Sequence, residues 1–249
     1  MTAPVFLTDP GRLTGLAPGD VAWLDGPEGR HAVTVKRMRP GEEIVLADGA
    51  GIGVSATVVS VEGKDQLRAE VVTTRTEAEP RPRITVVQAL PKGDRGELAV
   101  ETMTETGVDT VVPWRASRCV TQWKGERGEK ALAKWRAAAR EAGKQSRRLR
   151  FPGIAEPAAT SDVGRLLADA AFAGVLHEEA SGRLATAPLP SDGDIVLVVG
   201  PEGGISPAEL AVFEEAGADP YKLGPSVLRT STAGTAAAAV LLARSGRWS

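Results

Sequence analysis

A single cysteine, Cys119, in 249 residues excludes an internal disulfide framework. Only two histidines, His31 and His177, accompany it, so a cysteine-histidine zinc cluster cannot be assembled and the chemistry is expected to need no metal. Aromatic residues are 4% of the chain, too few for a surface that reads nucleic acid mainly by stacking. Long apolar runs are missing too: the longest, Ala236 to Ala243, has 8 residues against the roughly 20 that cross a bilayer. It reads as a buried helix, and no membrane partner is expected. Residues Met1 to Arg12 lack a basic start followed by an apolar stretch, so no secretory leader is visible and a cytoplasmic location is expected.

The remainder is globular in character, with 42% hydrophobic and 25% charged residues, enough for one large domain or two ordinary ones. The net charge of −2 hides a strong asymmetry: residues 115–150 carry 12 Lys and Arg against 3 Asp and Glu, whereas residues 151–249 carry 6 against 12. The basic segment suits a polyanion held through phosphate contacts. It equally suits a solvated helix face whose acidic partners lie elsewhere in the fold.

Residues 1–75 read as a small β-rich domain. Asp20 to Leu24, Glu43 to Ala47, Gly53 to Val61 and Leu67 to Thr73 alternate or cluster apolar residues, punctuated by Pro18-Gly19, Pro40-Gly41 and Asp48-Gly49, and a compact barrel is the natural outcome. His31 to Met38 is expected to form a short helix with a basic edge. Residues 76–83 combine charge with two prolines and read as a linker. From residue 84 to 249, strand-length apolar runs (Ile84 to Leu90, Thr110 to Trp114, Ala171 to Leu176, Ile195 to Val199) alternate with helical spacing, the pattern of a parallel sheet covered on both faces. In Glu129 to Gln145, Leu132, Trp135, Ala139 and Ala142 share one face and Lys130, Lys134, Arg140, Lys144 and Arg147 lie mostly off it.

Two stretches stand out chemically. Gly200-Pro201-Glu202-Gly203-Gly204 follows the strand IVLVV and precedes Ser206-Pro207-Ala208-Glu209, a capping box that starts a helix at Pro207. A glycine loop at the carboxyl end of a parallel strand brings main-chain atoms close to a ligand. The acid Glu202 disfavours a triphosphate and favours a ligand with hydroxyls, an amine or a cationic centre; a plain tight turn is the alternative. In the second stretch, Leu228-Arg229-Thr230-Ser231-Thr232-Ala233 runs into a small-residue helix, Gly234 to Ala243. Arg229 there can bind an anion or orient a polar base, or simply sit beside a helix cap.

Taken together these residues resemble the RsmE family of 16S ribosomal RNA uridine-N3 methyltransferases, in the SPOUT superfamily. The resemblance runs from His31 to Met38 with Pro40-Gly41, through Gln88 to Arg95, Glu105 to Val108, Ser117-Arg118-Cys119, Glu141 and Gln145-Ser146 with Arg148, to the Gly200 loop, Leu223-Gly224 and Leu228-Arg229-Thr230. Ser231 stands where the family often has Glu. The resemblance implies an α/β fold: a C-terminal parallel-sheet SPOUT domain with a deep trefoil knot, plus a small N-terminal PUA-like β-barrel. It implies S-adenosylmethionine (SAM) as cofactor, and a homodimer with its active site at the subunit interface. The implied cofactor contacts are Leu176, His177, Glu178, Gly200, Pro201, Glu202, Gly203, Gly204, Leu223, Gly224, Leu228, Thr230, Thr232 and Ala233.

The target chemistry assigns roles. Uridine N3 must lose a proton as it gains a methyl, so Arg229 is expected to stabilise the developing anion, with Glu202 or a water taking the proton. His177 is a further possible base or a structural residue. The RNA, in 16S rRNA of the small ribosomal subunit, is expected to contact Lys36, Arg37, Arg39, Lys92, Arg95, Arg118, Lys134, Arg140, Lys144, Arg147 and Arg148. Trp114 and Trp123 are the aromatics expected to reach it, with Trp135 in the core. Rival readings are a methyltransferase for tRNA or a ribose 2′-oxygen, and a non-catalytic RNA-binding assembly factor. A dinucleotide-dependent dehydrogenase is excluded, because no G-x-G-x-x-G opens a helix after the first α/β strand.

Overall fold

The computed structural model describes residues 3–248. They form two compact units: one from the chain up to Glu79 together with Gly143–Phe151, the other from Pro80–Ala142 and from Pro152 onward.

The first unit contains β1 (Val5–Leu7), β2 (Val21–Leu24), α1 (Gly26–Arg30), a π-helical turn (His31–Val35), β3 (Glu43–Ala47), β4 (Ile52–Glu62) and β5 (Gln66–Thr76). Alternation decides which side faces in: β2 buries Ala22 and Leu24 and exposes Val21 and Trp23. The sheet order is β1-β3-β4-β5-β2. Register shifts at Ser55/Ala56 and Val58/Ser60 interrupt the long β4–β5 ladder, and such irregularities bend a sheet. The outcome is a curled half-barrel around Phe6, Leu24, Ile44, Leu46 and Leu67. Strand β1 was not foreseen; its three residues pair in parallel with β3, a partner forty residues away.

Gly143–Phe151 straps onto this unit. Leu149 and Phe151 pack with Leu7 and Ala47, and the Gly51 and Phe151 amides bond the Leu149 and Gly49 carbonyls. Lys144 Nζ lies 2.7 Å from Glu28 Oε2, with only 10% of the lysine side chain exposed, and the Leu7 amide donates to the same oxygen.

The second unit contains β6 (Arg83–Ala89), α2 (Arg95–Thr106), β7 (Thr110–Trp114), α3 (Gly125–Gln145, its last three residues counted with the first unit), β8 (Gly153–Ile154) and α4 (Thr160–Ala168). It continues with β9 (Phe172–Leu176), β10 (Gly182–Arg183), β11 (Asp194–Val199), α5 (Pro207–Glu215), β12 (Asp219–Lys222) and α6 (Thr230–Arg244). Seven strands run in the order β10-β12-β9-β11-β6-β7-β8, and every pairing is parallel. Strands β6 and β11 are buried almost throughout, which is why their sequences are rich in Val and Ile and do not alternate with exposed polar residues.

Helix α3 starts four residues before the expected Glu129, its first turn held by a Glu126–Lys130 pair at 2.7 Å. Its apolar face is the expected one, with Leu132, Trp135, Ala139 and Ala142 buried. Trp114 differs from expectation. It is fully buried, packs edge-on against Phe213 and donates from Nε1 to Thr160 Oγ1 at 3.3 Å, so it cannot stack on RNA. Trp123 is half-buried against Trp135, with ring centroids 5.0 Å apart.

Candidate active site

The order of the sheet fixes where a ligand can sit. From the central strand β6 the chain first builds outward through β7 and β8, then returns to the other side of β6 to place β11, β9, β12 and β10. Crevices in open parallel sheets form at such a reversal, beyond the carboxyl ends of the strands. A cleft of about 670 Å³ lies there, within the range of small-molecule sites. Its walls are the segments following β9, β11 and β12, with Arg95 and Arg118 from the segments after β6 and β7.

After β9, the His177 amide donates to Tyr221 O, and His177 Nδ1 accepts from the Glu179 amide at 3.3 Å, so the proton of the neutral ring sits on Nε2. After β11, a turn is closed by the Gly204 amide on Pro201 O. A Cβ on Gly200 would stand 2.7 Å from Ile205 Cγ1, so this residue must be glycine for the loop to fold back on itself. Ser206 then caps α5, its hydroxyl accepting from the Glu209 amide while the Glu209 side chain returns to the Ser206 amide, as the capping box anticipates. After β12, the chain runs exposed from Gly224 to Arg229 and enters α6 at Thr230, four residues before the expected start. Thr230 Oγ1 donates to Gly200 O at 3.1 Å and joins the second and third walls.

Of the residues expected to hold the cofactor, all line this cleft except Thr232. Its hydroxyl bonds the Arg229 carbonyl on the exposed side of the helix start. Arg229 lines the cleft, and its guanidinium has no ion-pair partner among the described residues. Glu202 is engaged: its Oε1 accepts from the Lys92 amide at 3.3 Å and lies 3.9 Å from Arg95 Nη1.

The residues expected to contact RNA fall into both units. Lys36, Arg37 and Arg39 are exposed in the first, with Arg37 in the left-handed backbone region. In the same unit Lys144 is taken up by Glu28, and Arg147 donates to the Ala3 carbonyl; Arg148 is half-buried. In the second unit Lys92, Lys134 and Arg140 are exposed, while Arg118 donates from Nη1 to the Gly203 carbonyl at 3.1 Å. Sequence reasoning placed Arg95 and Arg118 only on the RNA side and missed Tyr221, Lys222, Pro225, Ser226 and Val227 as cleft residues. The signal was topological: all follow the carboxyl end of a strand or form it.

No metal-holding cluster of three His, Cys, Asp or Glu occurs among the described residues, and none of the helices they form is long and apolar enough to cross a membrane.

Comparison with known proteins agrees with this architecture. A family profile described as an RNA methyltransferase domain matches residues 77–242, and one described as an RNA methyltransferase PUA domain matches residues 24–72. Ribosomal RNA small subunit methyltransferase E of Mycobacterium tuberculosis is 47% identical over 234 residues, covering 92% of this chain and 89% of that protein. Its namesake from Bacillus subtilis is 29% identical over 84% of this chain and 85% of its own length. The structure of ribosomal RNA small subunit methyltransferase E from Neisseria gonorrhoeae, bound to S-adenosyl methionine, superposes with a TM-score of 0.84 at 29% identity over 98% of both chains. On this identity and coverage, the chain belongs to the ribosomal RNA small subunit methyltransferase E family.

Proposed function

We propose that this protein methylates N3 of a specific uridine in the 16S rRNA of the small ribosomal subunit, with SAM as methyl donor. The observation that carries the reading is the cleft at the sheet reversal, walled by three strand-end segments and lined by Arg229. The cleft suits the donor chemically. Leu176, Leu223, Leu228 and Ala233 offer apolar contact, the loop at Gly200 is as closely folded as glycine permits, and Glu178 and Glu202 add negative charge to the lining, which would favour a cationic ligand. When bound, SAM supplies a methyl group already activated by its positive sulfur.

The protein's own contribution is electrostatic and geometric. Main-chain groups of the segments after β9, β11 and β12 orient the donor, as His177, Gly200 to Gly204, and Leu223 to Thr230 with Ala233 line the cleft. Arg229 at the start of α6 holds positive charge beside the O2-N3-O4 system of the target, lowering the energy of the anion that develops as the imide proton leaves. Glu202, or a water beside it, accepts that proton. The exposed cations Lys36, Arg37, Arg39, Lys134 and Arg140 contact phosphates. The reading also includes a homodimer, a trefoil knot in the second unit and a cytoplasmic location.

Small subunits from cells lacking this protein, incubated with the purified chain and SAM, test the reading by nucleoside mass spectrometry. N3-methyluridine in 16S rRNA is the expected product. Methylation of a ribose oxygen or of tRNA instead, or no SAM binding by calorimetry at millimolar donor, overturns it.

A further inference from the structure

Glu209 is a buried, heavily coordinated carboxylate of the second unit, and the mechanism above does not use it. It is 5% exposed and collects five donors. Its Oε1 accepts from the Ser117 amide at 2.7 Å and from Thr160 Oγ1 at 3.4 Å. Its Oε2 accepts from Ser117 Oγ at 2.9 Å, from the Ser206 amide at 3.0 Å and from Ser206 Oγ at 2.7 Å. Closing the cap of α5 needs only the pair from Ser206. The two donors from Ser117 belong to the segment after β7, ninety-two residues away in the chain. The next residue is Arg118, whose Nη1 donates to Gly203 O at 3.1 Å and whose Cβ would lie 3.2 Å from a Cβ on Gly203.

We propose that Glu209 is a positioning residue: by gripping Ser117 it fixes Arg118 across the Gly200–Gly204 loop, so that this guanidinium meets the RNA at one place on the cleft rim. The inference rests on the methyltransferase reading and adds to it a route from a buried acid to a cation at the rim. Only a carboxylate fits the role. It accepts at both oxygens, whereas glutamine keeps one and turns the donor hydrogens of its NH2 toward either the Ser117 amide or the Ser206 amide. Burial alone would raise the Glu209 carboxyl, but the bonds from Ser117 and Ser206 outweigh it and hold the group below the usual carboxylate range, so it stays ionised and accepting near neutral pH.

A double-mutant cycle on the full-length protein tests this, with methyl transfer to small subunits read as kcat/KM at saturating SAM. Glu209→Gln and Arg118→Ala are each expected to lower kcat/KM about 10-fold, the scale of one hydrogen bond to a charged group. The double variant should fall no further than about 2-fold below Arg118→Ala, because both changes remove the same placed cation. Hydrogen exchange at the Ser117 amide, expected about 10-fold faster in Glu209→Gln, reads the grip without reference to activity. Multiplicative losses in the double variant, or unaltered exchange at Ser117, overturn the inference while leaving the function standing. A wild-type protein that transfers no methyl overturns both. Should Glu209→Gln fail to fold by thermal melt, Ser117→Ala takes its place: about 3-fold lower alone, and no lower when added to Arg118→Ala, with a further loss counting against the proposal.

Discussion

The segments after β11 and after β12 face the same cleft and are built in opposite ways. The first is closed by the Gly204–Pro201 turn, backed by Ile205 against Gly200, and anchored by the Ser206–Glu209 box. The second, from Gly224 to Leu228, makes no hydrogen bond among the described residues, and Val227 is 73% exposed. A site that must hold one ligand rigidly and admit a second, bulkier one gains from this division. The anchored segment presents fixed main-chain groups, and the open one can adjust when substrate arrives. Arg229 ends the open segment and begins a regular helix, so a chemical group stands at the junction of the two behaviours.

The contrast is most severely tested at Arg229. Replacement by alanine should lower methyl transfer roughly 100- to 1000-fold, as loss of a single transition-state donor does elsewhere, while calorimetric SAM affinity changes little. Loss of SAM affinity instead would make the open segment part of the cofactor cradle and erase the division. Gly200→Ala comes next. The added methyl meets Ile205, and overpacking of about 1–3 kcal/mol should lower the melting temperature and weaken SAM about 10-fold or more.

A third test asks whether RNA is gripped away from both segments. Reversing Lys134 and Arg140 to glutamate should reduce the slope of log affinity against log salt by about 1 for each phosphate that is no longer neutralised, measured by filter binding. An unchanged slope would leave the loops themselves to hold the RNA.

Acid should then loosen the anchored segment selectively. The Glu209 carboxyl is held below its unfolded value of 4.5, so its contribution to stability is complete above that pH and is lost as pH falls through the folded value. Urea midpoints between pH 6 and about pH 3 should therefore fall more steeply for the wild type than for Glu209→Gln. The smallest effect is expected at Gly224→Ala. Nothing lies within 4 Å of the added Cβ, and stability should stay within about 0.5 kcal/mol of wild type in the same titrations.

What could be read before folding was whatever the chain specifies locally. The run from Ile195 to Val199, the glycine loop and the Ser206-to-Glu209 cap are contiguous, and strand, turn and helix appear there as read, with one strand residue more. The buried face of α3 follows from a period of three to four and needs no partner to be recognised. Features whose meaning lies in a distant residue were not legible. Lys144 looks like one more cation on a basic helix until Glu28 is placed beside it. Trp114 ends an apolar strand and reads as an exposed aromatic until Phe213 and Thr160 close over it. Strand β1 is too short to show a period at all. In the cleft, residues with a chemical signature were found, while Tyr221 to Val227 were partly missed because their role comes from lying at the end of a parallel strand.

The strap from Gly143 to Phe151 makes the half-barrel a discontinuous piece of chain. A fragment cut after Glu79 would strand the Glu28 carboxylate opposite no ammonium and strip Leu7 and Ala47 of their cover. Anyone transplanting this module onto another protein must therefore carry two pieces of polypeptide, and a gene fusion that respects only linear order would deliver an incomplete object.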